Sequence, residues 1–161
     1  MTVDRSIHPV LEPLRKAGLL GELDIRFAGL METLAGGEAS EELILASALT
    51  SRSTRAGHVC LDLARAGEIL FPEVPTEGLP AFPTRAVWTE RLLRAPVVGR
   101  PGEFRPLVLD PGARLYLHRY WSYQETLVRW IHEHSTLVEP LPPPGRTRRA
   151  LGRIFSHPYG P

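Results

Sequence analysis

A mainly helical fold with a small β-hairpin, an α+β domain built on an orthogonal bundle of helices, is what this sequence predicts. Three observations carry that reading. Apolar residues recur at helical spacing in several segments that open on a capping Ser, Thr or Asp and close on Gly. One pair of short apolar runs, Pro106–Leu109 and Arg114–Leu117, flanks Asp110-Pro111-Gly112-Ala113, which is turn chemistry. From Tyr120 the period changes from two to about 3.6, and Tyr120, Trp121, Gln124, Leu127, Val128 and Ile131 fall on one helical face.

The elements follow in order. Ser6 can cap a first helix to about Ala17, with Pro9 in its first turn, Val10, Leu11 and Leu14 inward, and Gly18 as the left-handed stop. Asp24 opens a second helix, Ile25 to about Leu34, with Ile25, Ala28, Leu30 and Met31 inward, and Ala35-Gly36-Gly37 ends it. Ser40 followed by Glu41 and Glu42 starts a third, because a hydroxyl caps the free N–H groups and acids suit the positive end of the helix dipole. Its inward residues are Leu43, Ile44, Ala46, Ala48 and Leu49, and the small Ala46-Ser47-Ala48 run permits close helix packing.

After Gly57, His58–Leu63 alternates, with Val59, Leu61 and Leu63 on one side. It reads as a short strand or as an extended lead-in to a helix capped by Asp62 and ending near Leu70. Phe71–Pro83 is a Pro-rich loop, apolar enough to lie against the body. Thr84 caps a further helix to Arg94 that packs through Val87, Trp88 and Leu92 with the stem of Arg91 beside them. In the long helix after the hairpin the expected core residues are Leu117, Trp121, Leu127, Val128 and Ile131. Leu137–Gly145 is a Pro-rich spacer, and Arg146–Phe155 forms a last helix with few apolar partners, so the C-terminal end reads as truncated.

Composition narrows the function. At 161 residues the chain suits one domain with a trailing segment, and 43% apolar with 23% charged residues is ordinary for a globular protein. A formal net charge of +1 gives no global field toward nucleic acid or membrane. The single cysteine, Cys60, excludes an internal disulfide, and no apolar run approaches the length of a membrane span or a signal peptide, so a cytoplasmic location is expected.

Few constellations carry chemistry. GxxxxGK[ST], GxSxG and HExxH are all absent from the sequence, so no nucleotide, nucleophile or zinc-protease motif offers itself. His58 and Cys60 provide two soft ligands that His118, His132 or His134 would have to complete, short of the closed set that zinc requires. As a nucleophile Cys60 would need an activated thiolate and a cleft, whereas a buried Cys is usually a small hydrophobe. Arg114, Arg119 and Arg129 surround Tyr116, Tyr120 and Trp121, and Arg146, Arg148, Arg149 and Arg153 cluster near the C-terminus, which suits phosphates and stacked bases. Helices followed by a hairpin also resemble a winged-helix layout.

GHVCLDL (Gly57–Leu63) and PLVLDPGARLYLHRYWSYQETLV (Pro106–Val128), preceded by LDIRFAG (Leu23–Gly29) and ILASAL (Ile44–Leu49), resemble the N-terminal domain of RecD, the alpha subunit of the RecBCD exodeoxyribonuclease V complex. RLYLHRYW is the most specific part. The resemblance implies a RecD-like helical domain with hairpin over residues 1–134. Residues 135–161 would be a Pro-rich linker and the start of a segment leading to a helicase motor whose Walker A loop this chain lacks. It implies a domain without catalytic residues or cofactors of its own, docking an ATP- and Mg-dependent 5′-to-3′ DNA helicase onto RecC beside a RecB-like subunit, with DNA met through the assembled complex and no membrane partner. The alternative is a winged-helix-like module contacting DNA directly. Trp88, Arg114, Tyr116, Arg119, Tyr120 and Tyr123 are the candidate contact surface for either partner.

Overall fold

The computed structural model describes residues 7–37, 39–74, 81–135 and 144–154. A 3-10 turn (Pro9–Leu11) runs into α1 (Glu12–Lys16), followed by α2 (Glu22–Leu34), α3 (Glu41–Arg55), β1 (Leu61–Asp62), α4 (Ala66–Leu70), α5 (Arg85–Arg94), β2 (Val98–Gly99), β3 (Leu107–Leu109), β4 (Arg114–Leu117), α6 (His118–Ser135) and α7 (Pro144–Ile154). Met1–Glu125 forms one compact unit and Thr126–Pro161 a second, the division falling inside α6. The expected cap Ser6 and most of the Pro-rich spacer lie outside the described residues.

Within the first unit α3 is the central element. Its residues Leu43 to Ser51 and Ser53 are buried on nearly every side, and it packs against α2, α5, α4 and the sheet. Ser40 caps it as expected, accepting from the Leu43 N–H at 3.2 Å. The small residues Ala46, Ser47 and Ala48 let neighbours approach closely, and Thr50 Oγ1 donates back to the Ala46 carbonyl at 2.7 Å, so its hydroxyl is satisfied inside the core.

A buried carboxylate ties α2 to α3. Asp24 is fully covered and accepts from the Gly21 N–H at 2.9 Å, Ser51 Oγ at 2.7 Å and Arg55 Nη1 at 2.7 Å. It lies inside α2 rather than opening it: the helix starts at Glu22, and Asp24 reaches back to cap it from the third position. A Cβ at Gly21 would stand 2.7 Å from Arg55 Nη1, so a side chain there would push the guanidinium from its place on Asp24.

The sheet has the order β1-β4-β3-β2, with β1/β4 and β3/β4 antiparallel and β2/β3 parallel. The hairpin therefore gains a strand on each side, and β1 is the short strand alternative read at His58–Leu63. Val59 is exposed whereas Leu61 and Leu63 are buried, because pairing starts only at Leu61 and leaves Val59 outside the ladder.

In the turn, Ala113 rather than Gly112 takes the positive φ, at 61°. The Ala113 N–H donates to the Asp110 carbonyl at 3.0 Å and the Asp110 N–H to the Arg114 carbonyl at 3.0 Å. That is a three-residue loop with a left-handed final position. Glycine would suit the backbone there, but the Ala113 methyl is buried in the core. Two helix faces also differ from expectation. Leu30 of α2 and Val87 of α5 are exposed, because each helix turns a neighbouring residue (Ala28 and Met31, Trp88 and Leu92) toward α3.

Asp24→Ala should lower the denaturant midpoint by an amount corresponding to about 2–4 kcal/mol, because three donors, one of them charged, lose their acceptor. Glu22→Ala, which removes the exposed Arg26–Glu22 pair, should cost under ~0.5 kcal/mol. Equal effects from the two would refute the central role of Asp24.

Candidate functional site

Strand β4 passes into α6 without an intervening residue, and the His118 N–H still donates to the Pro106 carbonyl at 2.9 Å. The change of period seen in the sequence is thus a strand becoming a helix at the end of β4, an interior strand of the sheet. Arg119 holds its guanidinium 5.7 Å from the Tyr120 ring centre and 6.0 Å from that of Tyr123. The two tyrosine rings meet edge to face at 6.3 Å. Phe104, 89% exposed in the β2–β3 loop, sets its ring 4.7 Å from that of His118. His118 Nδ1 lies 3.4 Å from Ser122 Oγ.

Arg119, Tyr120 and Tyr123 make a patch of rings and one guanidinium on the first unit, with Phe104 and His118 a second ring pair. It presents π faces, apolar edges, hydroxyls and a cation, a composition suited to a protein interface or to stacking. Phe104 escaped sequence reading. Its signal was a large apolar side chain alone in the polar turn Arg100–Arg105, where no helical or strand period would carry it inward.

Two of the candidate contact residues are corrected. Trp88 is 0% exposed and Tyr116 1% exposed. Trp88 shares the inward face of α5 with Leu92 and is covered by the Phe82 ring at 6.1 Å. Tyr116 belongs to β4, which lies between β1 and β3, and Trp121 meets its ring edge to face at 5.1 Å. Neither can touch a partner while the unit is folded. Arg114 is exposed but engaged: its Nε donates to Asp110 Oδ2 at 2.8 Å and its N–H to Asp110 Oδ1 at 2.9 Å, so Asp110 neutralises the base of the hairpin tip.

The expected core stripe of α6 is corrected as well. Leu127 (57% exposed), Val128 and Ile131 are open, along with Trp130. The helix is amphipathic there, but among the described residues of the second unit nothing buries that face. A further exposed apolar stripe lies on α2, where Leu23, Leu30 and Leu34 are open and Phe27 is partly covered. Their i, i+4, i+7, i+11 spacing could have been read from the sequence, but it sits beside the buried face and merges with it.

His58 is exposed, Cys60 is half-buried, and among the described residues no group of three His, Cys, Asp or Glu side chains is placed to hold a metal. Burial pushes the Cys60 thiol up, away from the thiolate a nucleophile needs, with the Tyr116 hydroxyl partly opposing it. The Tyr116 phenol is itself pushed up to about 12, first by burial and then by the neighbouring Cys60 and Asp110 charges.

Residues 16–116 match the family described as the RecBCD enzyme subunit RecD, N-terminal domain. The chain belongs to that family. It is 34% identical over 110 residues to the RecBCD enzyme subunit RecD of Mycolicibacterium smegmatis (strain ATCC 700084 / mc(2)155), which covers 68% of this chain and 18% of the relative. It is 32% identical over 116 residues to the RecBCD enzyme subunit RecD of Mycobacterium tuberculosis (strain CDC 1551 / Oshkosh), covering 72% of this chain and 19% of the relative. The match thus spans less than a fifth of these curated relatives' length. The RecD-family residues 16–116 run from the end of α1 to Tyr116 in β4. They include Phe104, whereas α6 and α7 follow them.

The burial of Cys60 and Tyr116 has measurable consequences. Cys60 should react with a disulfide reagent at pH 7.5 more slowly in the native protein than in denaturant, and faster native reaction would contradict the buried thiol. Between about pH 10 and 12 the unfolded Tyr116 phenol has lost its proton and the folded one keeps it, so stability should fall as pH rises through that window. Tyr116→Phe should make the slope shallower; an unchanged slope would refute the raised phenol.

Proposed function

We propose that this chain is the N-terminal docking domain of a RecD-type subunit, attaching a motor to a RecC-like partner in a RecBCD-type complex that processes DNA ends for repair and recombination. The motor would be an ATP- and Mg-dependent 5′-to-3′ DNA helicase lying outside this chain, beside a RecB-like subunit, in the cytoplasm. No residue here is assigned to ATP or Mg, and no nucleotide-binding loop occurs in the sequence. Among the described residues no helix is long and apolar enough to cross a membrane.

The observation that carries this reading is the group at the start of α6, exposed Arg119 and Tyr123 around half-buried Tyr120, together with the exposed Phe104, on a domain of the RecD family. Tyrosine and arginine are over-represented among residues that dominate interface energies, since each combines a large contact area with a hydrogen-bonding tip. Docking is favoured over direct DNA contact by the hairpin because Arg114 is already paired with Asp110 and Tyr116 is buried.

The test is co-purification and titration calorimetry of this chain with the RecC-like subunit of the same organism. Tyr123→Ala and Arg119→Ala should each weaken binding about 30-fold, the equivalent of a ~2 kcal/mol hot spot. Leu30→Ser on the α2 stripe serves as the comparison. Full binding by both cluster variants with loss in Leu30→Ser would move the interface to α2, and no binding by the unaltered chain would overturn the docking role.

A further inference from the structure

Helix α7 concentrates charge that the rest of the chain lacks. Its sequence, PGRTRRALGRI, holds Arg146, Arg148, Arg149 and Arg153 in 11 residues with no acidic side chain. The described side chains of this helix, residues 145–153, are all exposed. Elsewhere the sequence intersperses its arginines with acids, as at Arg15 and Glu12, Arg65 and Glu68, Arg94 and Glu90, and Arg114 and Asp110. Of the chain's 19 basic side chains these four leave 15 against 18 acidic ones, so the near-neutral total conceals a cationic helix on an acidic remainder.

We infer that α7 is a nucleic-acid site that grips the phosphate backbone without reading sequence. Arg146, Arg149 and Arg153 follow i, i+3, i+7 spacing and share a face about 10 Å long. A nucleic-acid strand presents a phosphate for roughly every 3.4 Å of helix axis, so about three fall within that length. Each guanidinium can bond two phosphate oxygens at once and stays charged at every physiological pH. An anionic membrane is the other polyanion, but a helix lying in a bilayer surface needs a broad face of Trp, Phe or Leu. Among the described side chains of α7, Leu151 is the one large apolar group, and Arg148 lies off the cationic face where such residues would be needed. The inference does not rest on the docking role.

The full chain should bind a fluorescently labelled mixed-sequence oligonucleotide, single-stranded or duplex, in an anisotropy titration. With three to four phosphate contacts, duplex affinity should fall about 40- to 150-fold between roughly 50 and 200 mM salt. Arg146→Gln, Arg149→Gln and Arg153→Gln together should reduce affinity at least about tenfold and flatten the salt dependence. The matching triple Lys variant should retain most of both, and circular dichroism identical to the parent shows that loss is not unfolding. Phosphatidylcholine vesicles with and without phosphatidylglycerol should not bind. The inference is overturned if the Gln variant matches the parent in affinity and salt slope, if the parent does not bind at the lower salt, or if arginine-dependent binding occurs to the anionic vesicles alone.

Discussion

Helix α3 has almost no free surface, and the rest of the first unit is arranged around that constraint. A helix covered on every side needs small residues where neighbours press closest, which Ala46, Ser47 and Ala48 supply. Its later polar residues need acceptors within the protein: Ser51 finds Asp24, Ser53 donates to the Cys60 carbonyl at 2.7 Å, and Thr50 turns back to Ala46. Asp24 is the hinge of this arrangement, since the same carboxylate caps α2, receives Ser51 and holds Arg55 at the end of α3. The link from Ser53 to Cys60 then sets where the chain enters β1, and so where the sheet lies.

Completing that core consumes Trp88, expected on the packed side of its helix, and Tyr116, although both were also candidates for contact. Trp88 seals α5 against α3, and Tyr116 fills the middle of the sheet. What is left for contact is the set of side chains just beyond the core's reach: Phe104 in a turn, Arg119, Tyr120 and Tyr123 at the start of α6, and the leucines that flank the buried face of α2. Among the described residues no group of three His, Cys, Asp or Glu side chains joins them to hold a metal.

The hairpin junction shows how local and tertiary demands divide. The turn sequence and the change of period at Tyr120 were enough to announce strand, turn, strand and helix. That the positive φ falls on Ala113 instead of Gly112 depends on the register of the ladder, which a turn signature does not specify, and on the core space that the Ala113 methyl fills. Ellipticity would register the same helix whether Leu127 faced a core or solvent.

The sequence by itself determined the local elements: Ser40 and Thr84 as caps, Gly18, Gly36 and Gly57 as left-handed stops, the hairpin around Asp110–Ala113, and through GHVCLDL and RLYLHRYW the RecD family. These are decided over a few residues by hydrogen-bonding side chains and backbone sterics, so they are written where they act. Tertiary structure decided which amphipathic faces are covered. Periodicity shows that a helix has an apolar side, not whether another element lies against it, and a stripe such as Leu127–Ile131 looks the same in either case. Trp88 and Tyr116 became core, and Phe104 and Leu30 became surface, because burial is a property of the neighbours that long-range packing brings.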